Sequence, residues 1–199
     1  VNPRAGVTFA NSLRSMLRQD PDIIMVGEIR DIETAKIAIE ASLTGHLVFS
    51  TLHTRDSVGT ITRLLEMGFE RYLISSSIAG VISQRLVRLL CPQCKISYIL
   101  SSDKSFGQGE GMKLKAGEQI YKAKGCDYCA NTGYRKRIGL FEVLVIDKKI
   151  KELINNKASE EEILMHAKKQ QGLITLPEDG LRKVRQGLTS IEEIEGVLK

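Results

Sequence analysis

The sequence has no tryptophan, few aromatic residues and no long apolar run. Aromatic residues make up only 5% of the 199 positions, which counts against a nucleic-acid surface on which bases stack on aromatic side chains. No uninterrupted apolar run approaches the roughly 18 residues needed to cross a bilayer, and the first residues do not follow the order of a signal peptide. We therefore expect a cytoplasmic protein.

A phosphate-binding loop of the Walker type is also absent. Such a loop ends in Gly-Lys-Ser/Thr, so that backbone amides and the lysine hold the phosphates, yet none of the 17 glycines is followed by lysine. The chain begins at Val1, without an initiator methionine, in a segment with the character of a domain interior. We expect it to be part of a longer polypeptide.

The remaining composition is typical of a globular protein. Apolar residues make up 42% and charged residues 27% of the chain. The net charge is +5 and the isoelectric point is near 9.0, but basic and acidic residues are interspersed. Binding to nucleic acid or to an acidic surface is therefore permitted but not indicated.

Two short apolar runs, 23–26 and 47–49, predict strands that are buried on both faces. Thr8 and Asp31 are good N-caps for helices that precede these runs, over residues 9–18 and 32–45. Alternation of helices with fully apolar strands is typical of a parallel sheet flanked by helices. The sequence thus predicts an α/β fold.

The rest of the chain is predicted to contain six further helices, one strand, and a loop at 101–117 inside a small inserted subdomain. Further helices are expected at 56–67 and 71–90, a strand at 139–146, and four short helices at 148–155, 159–170, 177–186 and 191–198. Ser159 with Glu162 and Thr189 with Glu192 both fit the capping-box pattern.

Polar side chains follow both predicted strands at their carboxyl ends, the edge at which open α/β sheets bind ligands. Glu28 follows the first strand, where a carboxylate can order a Mg²⁺ ion or an attacking water; a solvated charge is the alternative. His53 follows the second strand and could reach a phosphate oxygen. His46 precedes that strand, about 20 Å away in an extended run, so the geometry favours His53.

Three arginines accompany these elements. Arg14, Arg18 and Arg30 could stabilise charge on a transferring phosphoryl group, including that of a nucleotide on a neighbouring subunit. An ordinary surface or ion-paired role is the alternative for each.

The four cysteines form two Cys-x-x-Cys pairs, Cys91 with Cys94 and Cys126 with Cys129. Each pair can place two thiolates on one tight turn, and two such turns complete a tetrahedral sulfur shell for zinc. An iron centre or redox pairs are the alternatives. With four protein ligands the metal would be structural and not catalytic.

Several separate segments resemble the type II secretion and type IV pilus assembly ATPases. They are VNPRAGVTFANSLRSMLRQDPDIIMVGEIRD, TGHLVFSTLHT, QRLVRLLCPQC and CDYCANTGY…RIGLFEVL, and they span nearly the whole chain in the family's order. One departure is Lys136, which stands where relatives usually have glycine between two basic residues.

The resemblance implies the C-terminal portion of a RecA-like ATPase that works as a ring hexamer on the cytoplasmic face of the inner membrane. Glu28 would be the Walker B acid, His46 and His53 the histidine-box residues, and the four cysteines the zinc ligands of the assembly class. The implied partners are ATP with Mg²⁺, other copies of the chain, an inner-membrane platform protein and cytoplasmic assembly components; no nucleic acid is expected.

The resemblance also implies that the phosphate-binding loop and a catalytic glutamate lie before Val1, so that the fragment alone is inactive. We divide the chain into an ATPase core portion at 1–90, a tetracysteine zinc subdomain at 91–137 and a C-terminal strand and helical region at 138–199. The competing hypothesis is a zinc-containing module that binds nucleic acid or docks on another protein.

Overall fold

The computed structural model describes residues 8–106 and 112–198, and over these residues the chain is α/β. The elements, in chain order, are α1 (Phe9–Leu17), β1 (Ile23–Val26), α2 (Ile32–Leu43), β2 (Leu47–Ser50), α3 (Gly59–Glu66), α4 (Arg71–Ser77), β3 (Gly80–Leu90), β4 (Ile96–Ile99), β5 (Lys104–Ser105), β6 (Lys113–Leu114), β7 (Gln119–Lys122), a 3₁₀ turn (Asp127–Cys129), β8 (Tyr134–Val145), α5 (Lys148–Asn155), α6 (Glu160–His166), a π-helical turn (Ala167–Gln171), α7 (Leu176–Arg185) and α8 (Ile191–Val197). Among the described residues, none of these helices has both the length and the apolar character to span a membrane.

Strands β1 and β2 pair in parallel, in a register that runs from Ile23↔Leu47 to Val26↔Ser50. The helix before each strand begins as predicted: the Thr8 side chain accepts a hydrogen bond from the backbone of α1, and the Asp31 side chain does the same for α2. The predicted alternation of helix and strand is therefore confirmed.

The prediction that both faces of this strand pair are buried is wrong. Helices α1 and α2 pack on one face, where they form a core with Ile24 and Val26. Alternate side chains of a strand point to opposite faces, so the other side chains form a second face that is exposed in the described part of the chain. We call it the open face; its members Ile23, Met25, Leu47 and Phe49 are 61%, 74%, 48% and 53% exposed.

The prediction of one long helix over 71–90 is also wrong. The helix ends at Ser77, and Gly80–Leu90 is strand β3, which pairs with β8. A Cβ atom on Gly80 would lie 3.1 Å from the carbonyl oxygen of Leu144, so the glycine permits the close approach of the two strands. The predicted strand 139–146 is longer than expected and begins at Tyr134.

Packing divides the chain into two compact units. The first contains the described residues up to Val81 together with Leu144–Gly172, and the second contains the described residues of Ile82–Val143 together with those from Leu173 onward. In the second unit, α7 and α8 share one core with strands β3, β6, β7 and β8. The division into 1–90, 91–137 and 138–199 follows motifs along the chain and stays a prediction.

The four short C-terminal helices are confirmed, with bounds that differ by a few residues from those predicted. The capping box of Ser159 with Glu162 is present at the start of α6. The predicted capping box at Thr189 is wrong: Ser190 caps α8 instead, and the Thr189 hydroxyl donates to the carbonyl oxygen of Arg88 at 2.8 Å.

Candidate functional site

Glu28, Arg30 and His53 come together at the carboxyl ends of β1 and β2. The Glu28 Oε2 atom lies 2.6 Å from Arg30 Nε and 3.5 Å from His53 Nε2. Parallel pairing causes this convergence, because both strands end at the same edge and both turns then leave that edge. The Glu28 side chain is 22% exposed, whereas that of His53 is 85% exposed. The predicted meeting of Glu28 and His53 at one edge is thus observed.

The electrostatics of this cluster favour an ionised carboxylate. The hydrogen bond from Arg30 is the largest cause that lowers the pKa of Glu28 below its usual 4.5, with a smaller contribution from His53. The same contact raises the pKa of Arg30. Glu28 therefore carries a negative charge at neutral pH and can act as an oxygen ligand or orient a water molecule.

Thr51 holds the two strand ends together, and the sequence analysis did not select it. Its hydroxyl donates to the carbonyl oxygen of Gly27 at 2.8 Å. Its own carbonyl oxygen accepts a hydrogen bond from the backbone N–H of Ile29 at 3.0 Å. Its place directly after a predicted strand is visible in the sequence, but the partner of its hydroxyl depends on the register of the two strands.

Arg14 and Arg18 lie on α1, and the structure places them at an open cavity of about 360 Å³ that is also lined by Glu33, Lys36 and Glu40 of α2. Arg14 forms an ion pair of 2.8 Å with Glu33. The cavity carries both signs of charge, so Arg14 is already partly neutralised there.

His46 lies at the amino end of β2, away from the end that leads to His53. Its Nδ1 atom is 3.0 Å from the carbonyl oxygen of Ala41 and 3.2 Å from the Thr44 hydroxyl, so its ring contacts the last turn of α2. The described contacts of His46 are therefore those of a residue that ends a helix.

The four cysteines form one cluster in the second unit, and their sulfur atoms all lie within 4.8 Å of one another. The Sγ···Sγ distances are 3.9 Å for Cys91 with Cys126, 3.8 Å for Cys94 with Cys129 and 3.8 Å for Cys126 with Cys129. A tetrahedral site with zinc–sulfur bonds of about 2.3 Å has sulfur–sulfur edges of about 3.8 Å. The spacing of the thiols therefore fits a zinc ion.

The backbone around the second pair supports a thiolate. The N–H groups of Gly133 and Cys126 point at Cys129 Sγ, at 3.2 and 3.3 Å. Burial acts to raise the pKa of Cys129, but these hydrogen bonds and those of neighbouring thiols outweigh it and lower the pKa to about 6. Burial, together with hydrogen bonds to the other three thiols, raises the pKa of Cys94 to about 12.

The first pair is anchored to the C-terminal helices of the same unit. Lys95 follows Cys94 directly, and its ammonium group donates to the carbonyl oxygen of Gly187 at 2.8 Å. The same group lies 4.6 Å from the centre of the Tyr121 ring. Sequence reasoning missed this anchor, because the contact joins positions that are far apart in the chain.

Comparison with known proteins gives matches over nearly the whole chain. The family model described as type II/IV secretion system protein matches residues 1–196. The chain is 52% identical to the type II secretion system ATPase E of Vibrio cholerae over 199 residues, which is all of this chain and 39% of that protein. It is 51% identical to the type IV pilus assembly ATPase PilB of Thermus thermophilus over 194 residues, or 98% of this chain and 22% of that protein.

The chain also matches solved structures of ATPases. A crystal structure of the pilus retraction motor PilT with bound ADP matches with a TM-score of 0.64 at 28% identity, over 95% of this chain and 43% of that one. The ATPase DotB of Legionella pneumophila matches with a TM-score of 0.61 at 26% identity, over 94% of this chain and 41% of that one.

The matched region is less than half of each of these relatives, so the chain corresponds to a part of their length. The matches support the ATPase hypothesis and give no support to a nucleic-acid-binding or docking module. The chain belongs to the family of type II/IV secretion system proteins.

Proposed function

We propose that the protein that carries this chain is a hexameric ATPase, and that it hydrolyses ATP to power type IV pilus assembly or type II protein secretion at the cytoplasmic face of the inner membrane. Identity above 50% to a secretion ATPase and to a pilus assembly ATPase supports this class. The chain itself lacks a phosphate-binding loop, so the activity belongs to the longer protein and the fragment alone is inactive.

One observation carries the proposal: Glu28 and His53 meet within 3.5 Å at the shared edge of two parallel strands. In this role the ionised Glu28 carboxylate orients a water molecule or holds the metal shell next to the terminal phosphate. Bound Mg²⁺ would supply charge neutralisation on the phosphate oxygens. His53, which is largely exposed beside Glu28, would contact the phosphate and respond to its presence.

The remaining proposed ATP-binding residues are Arg14, Arg18, Arg30 and His46. Arg30 acts through the carboxylate, because its 2.6 Å contact holds Glu28 in place. Arg14 and Arg18 lie on the exposed side of α1, from which they could reach a nucleotide held by an adjacent subunit. His46 would have to give up its contact with the end of α2 to bind a phosphate.

For the cysteine cluster we propose a structural zinc ion bound by Cys91, Cys94, Cys126 and Cys129. The support is the fit of the sulfur spacing to a tetrahedral shell and the pair of N–H donors that favour a thiolate at Cys129. Four protein ligands leave no open coordination position, so the ion stabilises the fold of its unit and takes no part in hydrolysis.

The proposed partners are other copies of the chain, an inner-membrane platform protein and cytoplasmic assembly components. No nucleic acid is included among them. Binding of the platform protein's cytoplasmic domain by the full-length ATPase, measured by pull-down with purified components, tests this part.

The hydrolysis proposal is tested by Glu28→Gln in the full-length protein, measured as phosphate release from ATP. Loss of the negative charge at the strand edge is expected to lower kcat by about 100-fold, as with other charges aimed at a transition state. Glu161→Gln is the matched control, because Glu161 is exposed on α6 and should leave kcat within about twofold. A Glu28→Gln protein with wild-type kcat contradicts the proposal.

A further inference from the structure

Thr51 contacts the backbone on both sides of Glu28. The carbonyl group of Gly27, which receives the Thr51 hydroxyl at 2.8 Å, belongs to the peptide unit that precedes the Glu28 Cα atom. The N–H group of Ile29, which donates to the Thr51 carbonyl oxygen at 3.0 Å, belongs to the peptide unit that follows it. A single residue directly after the neighbouring strand thus holds both peptide planes that flank Glu28.

The two hydrogen bonds fix the direction of the Glu28 Cα–Cβ bond. A peptide unit is planar, so the orientation of the two units sets φ and ψ at the Cα atom between them. Gly27 has no side chain that could restrain the first unit, and the nearest atom to a Cβ placed there is 4.0 Å away, on the Phe9 ring. The Thr51 hydroxyl therefore restrains the first unit from the segment directly after β2.

Thr51 also lies close to His53, which follows it by two positions in the chain. The regular register of β1 and β2 ends at Val26↔Ser50, so Thr51 extends the pairing by one position beyond the strands. The side chains of Glu28 and His53 are both attached to the backbone close to Thr51. Their 3.5 Å contact consequently depends on how firmly Thr51 joins the two strand ends.

From this geometry we infer that Thr51 is a positioning residue for ATP hydrolysis: its hydroxyl holds the Gly27–Glu28 peptide so that the Glu28 carboxylate is aimed beside His53. The inference rests on the proposed function, since it gives Thr51 its effect through Glu28. We assign Thr51 no direct contact with either reactant.

The test uses the full-length protein and compares Thr51→Val with Thr51→Ser. Valine has nearly the shape of threonine but cannot donate the hydrogen bond, whereas serine keeps the hydroxyl. A misplacement of about 1 Å can cost about 100-fold in rate, so we expect Thr51→Val to lower kcat by about 10-fold or more. The KM for ATP should change by less than about twofold, because substrate binding is not affected. Thr51→Ser should recover kcat to within about threefold of wild type.

Thr189→Val is the matched control for loss of stability. The Thr189 hydroxyl also donates to a backbone carbonyl at 2.8 Å, but in the second unit. Its loss should lower the unfolding temperature at least as much as Thr51→Val does, with kcat unchanged. If Thr51→Val does not fold, Thr51→Ala provides the same comparison with a smaller side chain.

Three outcomes separate the inference from the function on which it rests. If Glu28→Gln is inactive while Thr51→Val retains wild-type kcat, the positioning role is overturned and the ATPase proposal stands. Equal losses in Thr51→Val and Thr51→Ser overturn it as well, because the hydroxyl is then not the cause. If Glu28→Gln is fully active, the proposed function itself fails, whatever the Thr51 variants do.

Discussion

Replacement of Gly187 by alanine tests the anchor that joins the cysteine cluster to the C-terminal helices. Gly187 follows α7 with a φ of +66°, in the left-handed region that glycine adopts freely at helix ends. A Cβ atom at this position would lie 2.6 Å from Cδ2 and 2.7 Å from Cε2 of Tyr121. Carbon atoms in good contact are about 3.5–4.0 Å apart, so the Tyr121 ring and the Lys95 ammonium above it would have to move.

Two costs add up in Gly187→Ala. Left-handed backbone at a residue with a Cβ costs about 1–2 kcal/mol, and forced overpacking costs about 1–3 kcal/mol. We therefore expect a loss of about 2–5 kcal/mol in the stability of the second unit. Gly172→Ala is the matched control, because Gly172 has the same φ of +66° but no atom within 4 Å of its Cβ position. Its expected cost is the backbone part alone, about 1–2 kcal/mol.

The assay is hydrogen exchange of the full-length protein, since local opening can be measured where unfolding of the whole protein is not two-state. Gly187→Ala is read on peptides that cover β7 and α7, and Gly172→Ala, which lies in the first unit, on peptides that cover the π-helical turn it follows. Addition of Tyr121→Ala should reduce the cost of Gly187→Ala to that of Gly172→Ala, because the ring is then gone. Equal costs for Gly187→Ala and Gly172→Ala in the presence of Tyr121 would refute the reasoning.

Two further predictions concern the second unit. Purified full-length protein should contain about one zinc per chain by elemental analysis, and Cys126→Ser or chelation should remove exchange protection around the cysteine cluster while β1 and β2 stay protected; a well-ordered, metal-free cluster would contradict this. Burial acts to raise the pKa of Glu193, but the hydrogen bonds from Arg88 outweigh it and leave the pKa below the ordinary 4.5. The contribution of this ion pair to stability is therefore fully present above pH 4.5, and it is lost as the pH falls through the lowered pKa of Glu193 in the folded protein. Glu193→Gln should remove this part of the loss of stability at low pH, measured as hydrogen exchange of α8 peptides across a pH series. If exchange in the variant rises at low pH as it does in the wild type, the Glu193–Arg88 pair does not cause the acid dependence.

Strand β3 shows what a local pattern cannot predict. Ile74, Ile78 and Ile82 recur at helical spacing, which favours one continuous helix, yet the chain leaves the helix after Ser77. The partner that makes the strand stable is β8, whose residues lie more than forty positions away, and such pairing overrides local preference. Gly80 followed by two β-branched residues was the available signal for a strand.

The candidate site was more predictable than the fold around it. That Glu28 and His53 lie at one edge follows from parallel pairing, since the carboxyl ends of neighbouring parallel strands share that edge. The cysteine cluster follows from Cys-x-x-Cys spacing, which fixes two thiols on each turn. The Thr51 hydroxyl bond and the Lys95–Gly187 anchor could not be predicted, because each depends on the distance between backbones that are separate in the chain.

The open face of the β1–β2 pair has a consequence for solubility and handling. Its four large apolar side chains are each about half exposed or more, and complete burial of such a side chain contributes about 1.5–3 kcal/mol. Covering the exposed part of all four would thus add about 4–7 kcal/mol, a sizeable share of the roughly 5–15 kcal/mol by which ordinary domains are stable. A contiguous apolar patch that stays exposed to solvent promotes self-association. Replacement of Met25 and Phe49 by polar residues should therefore make the isolated chain markedly less prone to aggregate.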